Sequence, residues 1–139
     1  MTLQVLDASV AIKWFVPHEA GATEAIAILE EVRDAPAAFA VPELFFNEML
    51  AVLARLLGRD AAAVEQYLDD LQNLGFERIG NGRELLACAA DLACRHRLTG
   101  YDAMYAASAR LTGGCWLTAD LKAHRKVRHL QISKAVCQS

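Results

Sequence analysis

The sequence is poor in the features that announce many protein classes. No uncharged run exceeds the 9 residues from Leu111 to Ala119, far short of the ~20 apolar residues of a membrane span. The segment Met1 to Asp7 has no basic stretch and meets an acid at once, so no secretory signal is expected. There are 4 cysteines, Cys88, Cys94, Cys115 and Cys137, with neither C-x-x-C spacing nor a disulfide framework. Cys88, Cys94 and Cys115 sit among apolar neighbours, where a free thiol packs as a small hydrophobe, and a reduced cytoplasmic setting is expected. No G-x-G-x-x-G, Walker A loop or G-x-S-x-G occurs, which removes the main support for nucleotide-cradling folds and for one class of serine hydrolase. His18, His96, His124 and His129 form no metal-ligand spacing with one another or with the cysteines.

An excess of cations is missing too. The 14 Lys and Arg stand against 17 Asp and Glu, a net of −3, which taken alone speaks against a nucleic-acid partner. The distribution says otherwise. Residues 1–70 carry 4 basic and 12 acidic side chains, and residues 71–139 carry 10 and 5. Lys122, Arg125, Lys126, Arg128 and Lys134 fall where no acid follows Asp120. An acidic front with a basic tail can mark a polyanion site, although an unevenly charged solvated face produces the same pattern more often.

What is present is 139 residues, 55% of them hydrophobic, enough for one domain with a real core. Short apolar runs near 3–6, 39–41, 76–79, 115–118 and 130–132 read as strands. Helical patterns fall near 8–15, 20–33, 43–57, 60–74, 83–96, 102–112 and 119–127. Strands separated by helices imply crossover connections and a mainly parallel sheet covered on both faces, an α/β fold. Gly113-Gly114 reads as the end of a helix before a strand. Ligands in such folds collect at the carboxyl ends of the strands.

Carboxylates stand out against this apolar background. Asp7 closes the first strand, with Ser9 two residues on, and Asp120 follows the 115–118 strand, with Thr118 two residues before it. Each could be no more than the N-cap of the next helix. Glu48 borders an apolar stripe of Phe45, Met49, Val52, Leu53 and Leu56, and the plain alternative is a rim glutamate paired with Arg55. Asp102 opens an uncharged helix in Thr99-Gly100-Tyr101-Asp102, a pattern close to a capping box. Clustered carboxylates without His or Cys suit Mg²⁺ or Mn²⁺, and a cation relieves their mutual repulsion. Trp14-Phe15 and Phe45-Phe46 read as core or dimer contacts. Lys122 to Arg128 reads as a solvated helix face by default, but it would flank such a pocket and could hold a polyanion.

In these residues the chain resembles the PIN-domain metal-dependent ribonucleases, and within them the VapC-type toxins of bacterial toxin–antitoxin pairs. The resemblance is carried by Val5-Leu6-Asp7-Ala8-Ser9, by Pro42-Glu43-Leu44 through Glu48 to Leu53, by Arg97 through Asp102 to Ala107, and by Leu117-Thr118-Ala119-Asp120. It implies a single PIN-like domain over 1–139, a three-layer α/β/α fold, and an acidic Mg²⁺ (or Mn²⁺) pocket. Asp7, Glu48 and Asp102 match the family's main ligands, and Asp120 matches a fourth acid that often acts through water. Ser9 and Thr118 match hydroxyls that orient carboxylates or the attacking water. The implied activity is hydrolysis of RNA (tRNA, rRNA or mRNA) by an endoribonuclease toxin. The implied partners are a cognate antitoxin in a hetero-oligomer and a second copy of the chain in a homodimer. One departure is that no further acid lies near Asp102, the nearest upstream being Asp91, which leaves a second metal site thinly furnished. Two other readings are a non-catalytic module of this type and a Mg²⁺-dependent phosphatase-like or receiver domain. The phosphatase lacks its D-x-D, because Ser9 stands where a second Asp would be, and the receiver lacks an acidic pair at strand one and an acceptor Asp on a middle strand.

Overall fold

The computed structural model describes residues 2–136, so Cys137 lies outside the described residues. Five strands form one sheet: β1 (Gln4–Leu6), β2 (Phe39–Pro42), β3 (Glu77–Ile79), β4 (Cys115–Thr118) and β5 (Ser133–Ala135). Their order is β3-β2-β1-β4-β5 and every pairing is parallel. The helices are α1 (Ala8–Ala11), continued by a 3₁₀ turn over Ile12–Phe15, then α2 (Ala22–Asp34), α3 (Leu44–Leu56), α4 (Ala61–Gln72), α5 (Arg83–His96), α6 (Gly100–Thr112) and α7 (Leu121–Val127).

The sheet is short because each apolar run is short, and it is buried because helices cover it. Val5, Leu6, Ala40, Val41 and Trp116 are fully buried, the near-continuous apolar signature of parallel strands packed on both faces. From β1 the chain steps outward to β2 and β3, then crosses back to β4 and on to β5. Right-handed crossovers therefore place α1–α4 on one face and α5–α7 on the other, giving the expected α/β/α layers. The direction reverses between β1 and β4, so the crevice between their carboxyl ends is the place where such sheets bind ligands. Register aligns those ends, pairing Leu6 with Leu117.

Local details follow the sequence with two corrections. The last strand is Ser133–Ala135, not 130–132. Residues 128–130 form a 3₁₀ turn that ends on Gln131 in the left-handed region (φ 60°), so pairing with β4 starts only beyond it. The apolar stripe of α3 is also narrower than expected: Phe45, Met49 and Leu53 are fully buried, Val52 is only partly buried, and Leu56 is exposed. Gly113 takes the left-handed C-cap of α6, and a side chain on Gly114 would collide with the Leu3 carbonyl. Among the described residues no helix is long and apolar enough to cross a membrane.

Candidate active site

Asp7 leaves β1 at its carboxyl end and is only 6% exposed. Its backbone is extended and its side chain caps α1, Oδ2 accepting from the Ser9 N–H at 2.9 Å. The other oxygen, Oδ1, accepts from the Trp116 indole Nε1–H at 3.0 Å. Capping and site membership are thus compatible in one residue. Burial pushes the Asp7 carboxyl up from its ordinary value. The Ser9 and Trp116 donors offset part of this, and the nearby charge of Asp120 adds to it. Asp120, at the end of β4, caps α7 by accepting from the Ala123 N–H at 3.0 Å, and unlike Asp7 it is exposed.

The two hydroxyls between these aspartates each accept from a backbone N–H, and that of Ser9 also lowers the Asp7 carboxyl. The Ser9 hydroxyl accepts from the Ala119 N–H at 3.0 Å and lies 3.4 Å from the Thr118 hydroxyl. Thr118, fully buried, accepts from the Asp120 N–H at 3.0 Å. Together they lace the turn after β1 to the turn after β4, fixing where both aspartates start.

Glu48 enters from α3 on one face and Asp102 from α6 on the other. Both are partly buried. Glu48 does not pair with Arg55; its Oε1 accepts from the Tyr105 hydroxyl at 2.7 Å. Burial raises the Glu48 carboxyl, the Tyr105 hydrogen bond lowers it, and the charges of Asp7 and Asp102 raise it further. Asp102 stands in the first turn of α6, its N–H donating to the Thr99 N-cap hydroxyl at 3.1 Å. Its carboxyl is raised by burial first and then by Asp7 and Asp120, with the Thr99 hydroxyl and the Lys126 ammonium pulling the other way.

The fold therefore brings all four acids to one edge of the sheet, near enough for their charges to raise the Asp7, Glu48 and Asp102 carboxyls. They do not yet converge: among the described residues no three His, Cys, Asp or Glu side chains could hold a metal ion as they stand. The chemistry of the set nevertheless suits one. Four carboxylates with no nitrogen or sulfur donor among them match a hard divalent ion, and a cation would reverse the penalty that raises Asp7, Glu48 and Asp102.

Two residues at this edge went unrecognised in the sequence, Tyr105 and Trp116. Both are core, at 1% and 0% exposure. Their rings stack nearly parallel, 9° apart with centroids at 6.5 Å. Each also directs its single polar hydrogen at one of the four acids. The only signal available was that a buried tyrosine or tryptophan needs a polar partner.

The other singled-out residues lie elsewhere. Phe45 is core, and Phe46 is partly buried under the Arg78 guanidinium, 4.4 Å from the ring centroid. Trp14 donates to the Ala25 carbonyl at 2.7 Å. The His96 and His129 rings meet tilted by 59° with centroids 5.3 Å apart, and His124 contacts the Ser133 hydroxyl at 2.7 Å. The basic run forms α7 and the turn after it, starting directly behind Asp120. Lys126 reaches across to the Arg97 carbonyl at 2.8 Å.

Three solved structures share this architecture. One is a toxin–antitoxin complex from Klebsiella pneumoniae, 18% identical with a TM-score of 0.68, the match covering 95% of this chain and 96% of that one. FitAcB from Neisseria gonorrhoeae is 17% identical at a TM-score of 0.68, over 91% and 94% of the two chains. PAE2754 from Pyrobaculum aerophilum is 25% identical at 0.63, over 90% and 79%. No curated protein matches the sequence. The sequence profile of the PIN domain matches residues 5–130. That span runs from β1 through the turn that follows α7 and takes in all four acids, so the five-stranded parallel sheet and its acidic edge are those of a chain that belongs to the PIN domain family.

Proposed function

We propose that this chain is a Mg²⁺- or Mn²⁺-dependent endoribonuclease and the toxin of a toxin–antitoxin pair. The observation that carries the reading is the set of carboxyl groups at the switch point, Asp7, Glu48 and Asp102, each raised by burial and by the charge of its neighbours. A fold gains nothing in stability from such a set unless something positive joins it. Asp7, Glu48 and Asp102 would hold the cation, with Asp120 acting through water. When bound, the ion supplies a Lewis acid for a phosphoryl oxygen and acidifies a nearby water.

The chain's own residues do the rest. The Ser9 N–H and the Trp116 indole fix the direction of Asp7 and offset part of the burial that raises its carboxyl. Ser9 and Thr118 keep the two aspartate-bearing turns together. Lys126 and its neighbours on α7 lie beside the acids, where an RNA backbone following the crevice would meet them. Lys126 already lowers the Asp102 carboxyl, which places its charge within reach of the site.

The antitoxin part rests on different support. A groove of about 530 Å³ runs along the α1–α4 face, lined in part by Trp14, Phe15, Leu29, Leu56, Tyr67 and Leu74. It offers apolar surface to a partner peptide, and the Klebsiella relative is a toxin–antitoxin complex. A homodimer and a cytoplasmic setting belong to the same proposal.

A non-catalytic interaction module is the second reading, favoured by the carboxylates' not converging in this structure. RNA cleavage assayed with Mg²⁺, with Mn²⁺ and in excess EDTA, beside Asp7→Asn, separates the two. The nuclease requires the cation and Asp7, whereas the module cleaves under no condition and keeps its biological effect when Asp7 is neutralised.

A further inference from the structure

We infer that Tyr105 and Trp116 are positioning residues, an aromatic brace that sets Glu48 and Asp7 for the cation; the inference rests on the metal-dependent reading above. Tyr105 comes from α6 and Trp116 from β4, while their acceptors come from α3 and from the end of β1. Two stacked rings thus add side-chain ties between α6, β4, α3 and the end of β1.

The hydrogen bonds are placed to orient without occupying. Tyr105 takes Glu48 Oε1 and leaves Oε2 with no hydrogen bond among the described residues. Trp116 donates to Asp7 Oδ1 and the Ser9 N–H to Oδ2, and with the Ser9 hydroxyl acting on the same carboxyl, a group with about four lone pairs still has one to give. Neither donor can be turned away. An indole N–H only donates, and the Tyr105 hydroxyl donates to Glu48 Oε1 2.7 Å away. Packing fixes both rings in place, with Trp116 fully buried and Tyr105 1% exposed. Outer partners of this kind orient metal-binding side chains, and their loss typically costs about 10–100-fold in affinity or activity.

A purely structural role would show as lost stability alone, so the test reads the cation. Tyr105→Phe keeps the ring and its stacking and removes only the hydroxyl. We expect Mn²⁺, titrated by calorimetry into the folded variant, to bind at least about tenfold more weakly than to the parent. RNA cleavage by the variant should return toward the parent rate as Mn²⁺ is raised. In a Trp14→Phe background, where Trp116 is the only tryptophan, Mn²⁺ should change the indole emission and saturate at the calorimetric affinity. The emission change keeps the inference testable if Tyr105→Phe fails to fold. Unchanged Mn²⁺ affinity in a folded Tyr105→Phe, or Trp116 emission indifferent to saturating Mn²⁺, overturns the brace while leaving a metal-dependent nuclease standing. A parent that binds no Mn²⁺ overturns both.

Discussion

The ends of β1 and β4 look alike in sequence and differ in physics. Both present an aspartate that caps the following helix, Asp7 for α1 and Asp120 for α7. Asp60 does the same for α4, far from the sheet's carboxyl edge, accepting from the Ala63 N–H at 3.2 Å. Capping alone is worth about 1 kcal/mol and is compatible with full hydration. Asp7 is instead buried, with an indole donor on its second oxygen and other carboxylates close by. Capping therefore does not separate functional from structural aspartates. Burial without a cationic partner does, because the fold bears a cost there that only a ligand offsets.

The largest expected effect is at Asp7. Asp7→Asn should remove metal-dependent RNA cleavage while circular dichroism stays native, whereas Asp120→Asn, at the exposed cap, should leave measurable cleavage. Equal losses at both positions would erase the distinction between the two strand ends.

Next comes the basic side of the crevice. Lys126→Glu should raise KM for RNA several-fold with a smaller effect on kcat, and lower the slope of log affinity against log salt by about one. Binding of labelled RNA to the Asp7→Asn protein, measured across a salt series, checks this without cleavage.

A third effect appears in stability without metal. The Asp7, Glu48 and Asp102 carboxyls are raised in the fold, so their protonation favours the folded state. Their contribution is fully present below the unfolded value near pH 4 and is lost as pH rises through the raised folded values. His124, lowered by burial and by Arg128 and Arg125, contributes with the opposite sign. The clean observable is therefore a difference between two proteins. In EDTA at pH 7, Asp102→Asn should melt above the parent by a few degrees, ~1 kcal/mol being worth roughly 4 °C in a chain of this size. The gap should close as pH falls toward 4, and saturating Mg²⁺ should shrink or reverse it. A variant that melts below the parent in EDTA at pH 7 would show that Asp102 stabilises the metal-free fold.

The smallest effect belongs to the control. Asp60→Ala should cost about 1 kcal/mol in urea unfolding and leave cleavage unchanged.

Much of this arrangement was legible in the sequence, because parallel strands and amphipathic helices write their burial as apolar runs. Asp7 and Asp120 were visible as acids that close such runs, and Thr99 as a cap three residues before Asp102. The last strand was misplaced because Leu130-Gln131-Ile132 alternates as a strand should, while Ser133-Lys134-Ala135 is an edge strand with no apolar signature. A left-handed turn at Gln131, which nothing in its composition announces, sets the true start. Tyr105 and Trp116 were hidden for another reason. A buried aromatic that packs and one that packs while donating to a carboxylate 57 or 109 residues away are written with the same letter.

The central claim is that the acidic edge exists to hold a divalent cation for RNA hydrolysis. Its most direct test is cleavage of structured RNA by the purified chain in Mn²⁺ and in excess EDTA, run beside Asp7→Asn. The parent is expected to cleave in Mn²⁺ alone, with no cleavage in EDTA or by the variant. Full cleavage in EDTA, or undiminished cleavage by Asp7→Asn, would contradict it.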